Sequence, residues 1–445
     1  MSGEALVLGK DVLVIGTKRS GMAAIRLLLR EGAHVRAMDA QTPGPEERAA
    51  LDELGVPVMM QNESNMGEPD TIVISPAVPF DLPMLQAARA KGIHVIGEVE
   101  LAFQHLKGPV IGITGSNGKT TTTALTGHVL RGCGIDCQVG GNIGTAVASL
   151  VDTSRDDRWN VLELSSFQLE GITEFHARIA ACLNLTPDHL DRHHTMANYM
   201  DAKARLFETQ RRGDFAVLNY DDAACQALAA RTRADVYWFS ATQAVPQGVS
   251  LAAGEIRWNG RPFMERAAIN LRGMHNVENA MASAALACLA GAPLERIGPA
   301  ISSFPGVEHR IEFVRSLRGV EYFNDSKATN VDAALKAVAA FPGPLWIVLG
   351  GKDKGSPYTP LREPLQAKAK GALLIGAATP LIERDLANAA PMVDCGTLAE
   401  AVRYAADHAS AGDTVLLAPA CASFDQFESF EHRGRLFKHL VLDLI

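Results

Sequence analysis

PVIGITGSNGKTTTTAL, residues 109–125, reads as a buried strand, a glycine turn and the opening of a helix. The apolar run PVIGITG is short and bounded by a turn, which suits a strand covered on both faces. Such strands belong to parallel sheets, and parallel sheets need helical crossovers. The turn also carries chemistry. A tight glycine turn points successive backbone N–H groups inward, and the helix start adds positive potential. Lys119 supplies a charge for terminal phosphates, and Thr120 or Thr121 supplies a hydroxyl for Mg²⁺. Gly115, Ser116, Asn117 and Gly118 complete the candidate phosphate cradle. The standard pattern has a glycine where Ile113 stands; the glycines here are Gly112, Gly115 and Gly118. The plain alternative is a turn that only caps a helix. Agreement of strand, turn and helix favours a nucleoside triphosphate site, without separating a switch, a motor, a kinase or a ligase.

The same alternation runs outward in both directions. Before it come strands DVLVIG (11–16), HVRAMD (34–39) and TIVISPAV (71–78), with a helix from Gly21 to Arg30. After it come WNVLELSS (159–166), ARIAACLNLT (177–186) and AVLNYDD (216–222), then an alanine-rich helix over Asn276–Ala290. A third series holds EYFND (321–325), LWIVLGG (345–351), ALLIG (372–376) and TVLLAPA (414–420), with a helix over 398–409. Repeated strand–helix alternation implies βαβ units. The fold class is therefore α/β in three domains: a Rossmann-like domain over 1–100, a central phosphate-loop ATPase-type domain with a mainly parallel sheet over 101–306, and a Rossmann-like domain over 307–445.

The chain of 445 residues fits about three domains. Its 47% hydrophobic content supplies several cores, and 21% charged residues argue against long disorder. Lys plus Arg number 42 against 50 Asp plus Glu, which lacks the basic footprint of nucleic-acid binding. The seven cysteines form no CxxC pair, which fits a reducing compartment. No basic leader precedes residue 11, and no long apolar run suggests a membrane span. A cytoplasmic monomer is expected.

Several side chains stand out. Glu163 lies near the end of the run NVLEL, where an acid on a neighbouring strand would face the phosphate turn and hold Mg²⁺. TPDHLDRHHT (186–195) holds three histidines and two aspartates, yet lacks a second Cys/His cluster for zinc. It reads as a polar loop, with His189 a candidate Mg²⁺ ligand. Lys203, in NYMDAKARLFE, would ordinarily be a solvated helix lysine. In the first unit Thr17, Lys18, Arg19 and Ser20 lie between Gly16 and Gly21, and Asp39 ends the next strand about 23 residues after Gly16. The GxGxxG fingerprint is absent, and two bases with two hydroxyls suit a diphosphate without a nicotinamide. In the third unit NDSKATN (324–330), LGGKDKG (349–355) and APACASFDQF (418–427) each follow a strand. Three such turns gather on one sheet edge, so Lys327, Lys354 and Ser423 would converge on an anionic amino acid.

Together TGSNGKTT (114–121), GGNIG (140–144), ELSSFQLE (163–170), NLTPDHLDRH (184–193), AKARLF (202–207), HNVENA (275–280), HR (309–310), NDSKATN, GGKDKG and PACASFDQFESFEHRG (419–434) resemble the Mur ligase family over essentially the whole chain. NDSKATN and PACASFDQF are similar to the branch that adds D-glutamate, and the DNPR-type motif of the diaminopimelate-adding branch is absent. The resemblance implies ATP-dependent joining of D-glutamate to UDP-N-acetylmuramoyl-L-alanine in peptidoglycan precursor synthesis, with Mg²⁺. It implies that Lys119, Thr120 and Thr121 bind ATP phosphates, and that Thr120, Glu163, His189 and a carbamylated Lys203 hold metal. It implies that Asn276, Asn279, Arg310 and Asp325 help bind nucleotide, and that Asn142 contacts the sugar-linked substrate. Lys327, Thr329, Lys354, Ser423 and Phe430 would surround D-glutamate. The first unit would hold UDP through Thr17, Lys18, Arg19, Ser20, Asp39 and Ser75. Ala40-Gln41 stands where the resemblance would lead one to expect a threonine-arginine pair. Among other readings, a folate polyglutamylating ligase would share the ATP unit, and a regulatory ATP-binding protein would hydrolyse ATP without any amino acid. The third unit is expected to close on the ATP site and exclude water.

Overall fold

The structure, a computed structural model, describes residues 11–445 except the side chain of Asp191. The reading of MSGEALVLGK as lacking a leader, and the start of the 1–100 domain, lie outside the described residues. Two compact units form: the chain up to Asn270 together with His275–Phe304, and Leu271–Met274 together with Pro305–Ile445. Among the described residues no helix is long and apolar enough to cross a membrane.

The first unit contains two sheets. In the first, β1 (Asp11–Ile15), β2 (His34–Asp39), β3 (Val58–Met60), β4 (Thr71–Ile74) and β5 (His94–Gly97) run parallel in the order β3-β2-β1-β4-β5. Val12 to Ile15 are fully buried, as a strand covered by helices on both faces requires. The helix Arg19–Arg30 turns Met22, Ile25 and Leu28 into this core. The strand expected over 71–78 stops at Ile74. Pro76 has no N–H for a ladder, and the chain turns instead, with Val78 N–H donating to Ser75 O at 2.9 Å.

The second sheet holds β6 (Val110–Thr114), β7 (Cys137–Gly141), β8 (Trp159–Glu163), β9 (Ile179–Cys182), β10 (Phe215–Asn219), β11 (Asp235–Ser240), β12 (Gly248–Ala252), β13 (Glu255–Trp258) and β14 (Arg261–Glu265). Their order is β14-β13-β12-β11-β10-β9-β6-β8-β7. All pairs are parallel except β12–β13 and β13–β14. The chain leaves β6 toward β7 on one side and leaves β9 toward β10 on the other. Loops diverging from neighbouring strand ends open a crevice there, the usual place for a ligand in such sheets. Sequence reading carried β8 through Ser166; the strand ends at Glu163 because Ser165 and Gln168 form a capping box that starts the helix Ser166–Glu170.

A tight seam joins these two sheets. Gly97 N–H donates to Gly171 O at 2.8 Å, and a Cβ on Gly171 would collide with the Gly97 backbone. Next to it, the buried Glu100 carboxylate accepts from the N–H groups of Thr173, Glu174 and Phe175 and from the Thr173 hydroxyl, at 2.8–3.0 Å. Glu98, also buried, accepts from Ala148 N–H at 2.6 Å.

The second unit is built on β15 (Glu312–Leu317), β16 (Val320–Asn324), β17 (Leu345–Gly350), β18 (Ala369–Ile375), β19 (Met392–Gly396) and β20 (Thr414–Leu417), in the order β15-β16-β20-β17-β18-β19. Only the edge strand β15 is antiparallel. Leu345, Ile347 and Leu349 face one core layer, Val348 and Leu417 the other.

Candidate active site

In the first unit the crevice at the ends of β6, β8 and β9 is lined by the predicted turn. The helix after β6 begins at Lys119, with Gly118 in the left-handed region at φ 84°. A side chain at Gly118 would also collide with Asn279 Oδ1, so glycine is required twice over. Asn184, after β9, fixes the turn: its carbonyl accepts from Ser116 N–H at 2.9 Å and its Oδ1 from Asn117 N–H at 2.8 Å. Ser116 Oγ donates to Thr186 O at 2.8 Å and lies 3.0 Å from the Tyr199 hydroxyl. Lys119 folds back over its own turn, donating to Gly115 O at 2.8 Å and Ser116 O at 2.9 Å. Thr120 and Thr121 are buried in the first helical turn.

Glu163 pairs in register with Ile113, one strand over from the turn. It is 1% exposed; its Oε1 accepts from Asn142 Nδ2 at 2.8 Å, while its Oε2 is buried with no hydrogen-bond partner. An orphaned carboxylate oxygen is costly unless something else engages it. Lys203, read from sequence as a solvated residue unless the resemblance applied, is 1% exposed on the helix Met196–Glu208. Its Nζ donates to Gly115 O at 2.9 Å and to Thr114 Oγ1 at 3.3 Å. Burial first, then the nearby Lys119 charge, push this amine down to about 7.

The histidine-rich loop separates its three rings. His193 meets Ser166 Oγ at 2.9 Å, His194 faces Asp81 at 3.7 Å, and His189 lies 3.5 Å from Asp188 with its ring on Phe167. Among the described residues no three His, Cys, Asp or Glu side chains gather as a metal cluster. Asn276 and Asn279 sit on the helix Met274–Leu289; Asn279 Nδ2 donates to Asn276 Oδ1 at 3.1 Å and its Oδ1 accepts from Thr122 at 3.2 Å.

The TKRSG turn is more internally engaged than expected. Thr17 N–H and hydroxyl donate to Asp39 Oδ2 at 2.7 and 2.8 Å, and Gln41 N–H donates to Oδ1. Burial works against the Asp39 charge, but these donors outweigh it and hold the group below the ordinary carboxylate range. Lys18 pairs with Glu47 at 2.8 Å, and Arg19 donates to Asn142 O at 3.0 Å. Ser20 lies in the first turn of the following helix, and Ser75 is buried at the end of β4.

In the second unit the three strand-end turns do meet, since β16, β20 and β17 are neighbours. Lys354 Nζ lies 3.4 Å from Thr329 Oγ1, and Lys327 Nζ sits 5.2 Å over the Phe430 ring. Ser423 is buried in the chain following β20, next to Ala422, which bridges Lys352. Arg433, which sequence reading quoted but did not single out, is fully buried. It donates to Ser326 Oγ and O and to Cys421 O at 2.8–3.3 Å, tying two turns together. Asp325 is buried, accepts from Ile311 N–H at 3.3 Å, and is pushed up to about 7 by burial, against the opposing charge of Arg310. Tyr199, Asn184 and Arg433 carry no sequence signal of their own; only their place inside a quoted stretch marks them.

A glycine turn with a lysine at a helix start, at a sheet switch point and flanked by a buried acid on the next strand, is the arrangement of the phosphate-loop, nucleoside-triphosphate-binding class. The chain matches three sequence families: "Mur ligase MurD-like, N-terminal domain" over residues 10–97, "Mur ligase middle domain" over 113–287 and "Mur ligase, glutamate ligase domain" over 309–421. It is 56% identical to a UDP-N-acetylmuramoylalanine--D-glutamate ligase of Solibacter usitatus, covering 97% of this chain and 98% of that one. A protein of the same name from Koribacter versatilis is 48% identical over 98% of both chains. In fold the chain is similar to a MurF ligase from Thermotoga maritima solved in complex with ADP, at TM-score 0.61 and 17% identity, covering 98% and 97% of the two chains. The chain belongs to the Mur ligase family.

Proposed function

We propose that this chain joins D-glutamate to UDP-N-acetylmuramoyl-L-alanine with ATP, through an acyl phosphate. In this reading residues 1–100 hold the UDP end, 101–306 hold ATP and 307–445 hold D-glutamate. A carboxylate is a poor acyl donor because oxide would have to leave. Transfer of the γ-phosphoryl group to a carboxylate oxygen releases ADP and creates a good leaving group. The D-glutamate amine then attacks the carbonyl carbon and loses a proton, and the tetrahedral intermediate expels phosphate to leave the amide.

The chain's own groups suit these steps. Lys119 counters the repulsion between the incoming carboxylate and the triphosphate. The open Oε2 of Glu163 and the Thr120 hydroxyl fit Mg²⁺, with His189 and Lys203 completing the proposed ligands. When bound, the ion supplies further screening of phosphate charge. A cationic Lys203 would oppose that ion; held near neutrality, its amine is free to take up CO₂ as a carbamate and become an acidic ligand. Asn276, Asn279, Arg310 and Asp325 are the proposed nucleotide contacts. Lys327, Thr329, Lys354, Ser423 and Phe430 are those for D-glutamate, and Thr17, Lys18, Arg19, Ser20, Asp39, Ser75 and Asn142 those for the UDP-sugar. A cytoplasmic monomer belongs to the same reading.

The supporting observation is the phosphate turn itself: one loop carbonyl, Gly115 O, accepts from both Lys119 and the near-neutral Lys203, beside a buried acid with an open oxygen. Phosphate release over a panel of UDP-muramoyl and folate acceptors with D- and L-amino acids tests it. Release is expected only with UDP-N-acetylmuramoyl-L-alanine and D-glutamate together, and is abolished by K119A. Release with a folate, or without any amino acid, overturns the proposal.

A further inference from the structure

The segment Gly140–Gly144, from the end of β7 into the loop after it, touches elements of both sheets of the first unit. Asn142 Nδ2 donates to Glu163 Oε1, and Asn142 N–H donates to Glu163 O at 2.9 Å. From the other side Arg19, in the TKRSG turn of the first sheet, donates to Asn142 O. Asn142 therefore stands between a basic turn and the acid beside the phosphate loop. The near end of the loop is fastened by Glu163. Gly141 N–H closes the loop on Thr145 O at 2.8 Å, so whatever holds residues 146–148 also sets the placement of Asn142.

Glu98 holds that far end. It is the first residue of the helix Glu98–His105, which leads out of β5. Its Oε1 takes Ala148 N–H at 2.6 Å, the shortest of the carboxylate contacts on the seam. The short helix Val147–Leu150 packs against both Arg19–Arg30 and Glu98–His105. Glu98 is 1% exposed, yet its Oε2 has no hydrogen-bond partner. A half-satisfied carboxylate fully inside a seam is an expensive way to add stability alone. Glu100, two residues on, shows the stability solution: both oxygens fully engaged, by residues 173–175, away from the loop.

We infer that Glu98 is a positioning residue for the UDP-linked substrate: through Ala148 it fixes the Gly140–Gly144 loop, and so holds Asn142 between Arg19 and Glu163. This rests on the function proposed above. Glu100 fastens the same seam without touching the loop, so it separates loop placement from general seam strength.

The test compares full-length wild type, E98A, E98Q and E100A in the phosphate-release assay, with thermal shifts induced by UDP-N-acetylmuramoyl-L-alanine. E98A is expected to raise KM for that substrate about tenfold, as for one lost buried hydrogen bond. It should shrink the substrate-induced shift and leave KM for D-glutamate unchanged. E98Q keeps an acceptor for Ala148 N–H and should restore KM to within about twofold. E100A should lower the melting temperature without raising KM. If E98A does not fold, E98D, whose carboxylate falls short of Ala148, should show the same pattern more weakly. Unchanged KM in both E98A and E98D, or equal KM changes in E98A and E100A, overturns the inference. A wild type that releases no phosphate with these substrates refutes the functional reading instead.

Discussion

Replacing Lys203 with methionine should stabilise the protein near neutral pH and disable it. Lys203 is fully enclosed, and burial, then the nearby Lys119 charge, push its free, uncarbamylated amine down to about 7 from the ordinary 10.5. Across that window the unfolded chain carries a proton that the folded chain has given up. Stability therefore rises with pH from about 7 to 10.5 and is lost as pH falls toward 7. At about pH 8 the price of holding the amine neutral is about 3 kcal/mol. Methionine removes that cost but forfeits two hydrogen bonds, to Gly115 O and Thr114 Oγ1, worth about 1 kcal/mol each. K203M should be about 1 kcal/mol more stable than wild type at about pH 8, and the difference should change sign near about pH 9. Its kcat should fall about 10²–10³-fold. Urea unfolding at several pH values, beside D-glutamate-dependent phosphate release, reads both. Parallel stability curves for the two proteins, or full activity in K203M, would refute the reasoning.

G118A should lose about 1–3 kcal/mol of stability and any thermal shift by a nonhydrolysable ATP analogue, since the residue is left-handed and meets Asn279. Asp325, raised to about 7, contributes stability that is full below about 3.8 and lost as pH rises to about 7. D325N should flatten that slope, gaining up to about 4 kcal/mol in urea melts at about pH 8, while weakening nucleotide binding measured by calorimetry. R433K, unable to span Ser326 and Cys421 with one ammonium, should raise KM for D-glutamate about tenfold with KM for ATP unchanged, as steady-state kinetics will show.

The three-sheet α/β plan was legible because buried parallel strands such as β1, β6 and β17 are continuous apolar runs between turns. The phosphate turn was legible because glycine, lysine and helix start are all local features. The second sheet's β11–β14 extension was not. Its strands are short, and DVYWFS and EIRW are only half buried, so they show neither a full apolar run nor clean alternation. TIVISPAV overran because an apolar run hides where Pro76 ends pairing. Asp39 was legible as a strand-end acid, but nothing local showed that Thr17 and Gln41 would occupy it. Burial of Lys203 and the meeting of Arg433 with Ser326 depend on residues about 90–110 positions apart, a separation that no local pattern encodes.

The dovetail of Gly97 against Gly171, braced by Glu100, has a metrical consequence. Two backbones that already touch cannot come closer, and four donors on one carboxylate resist their parting. The span from the TKRSG turn to Lys119 is thereby a built-in calliper, set by main-chain contact rather than by side-chain compliance. Under the function proposed above, a substrate bridging that span would be selected by its length as well as by its functional groups.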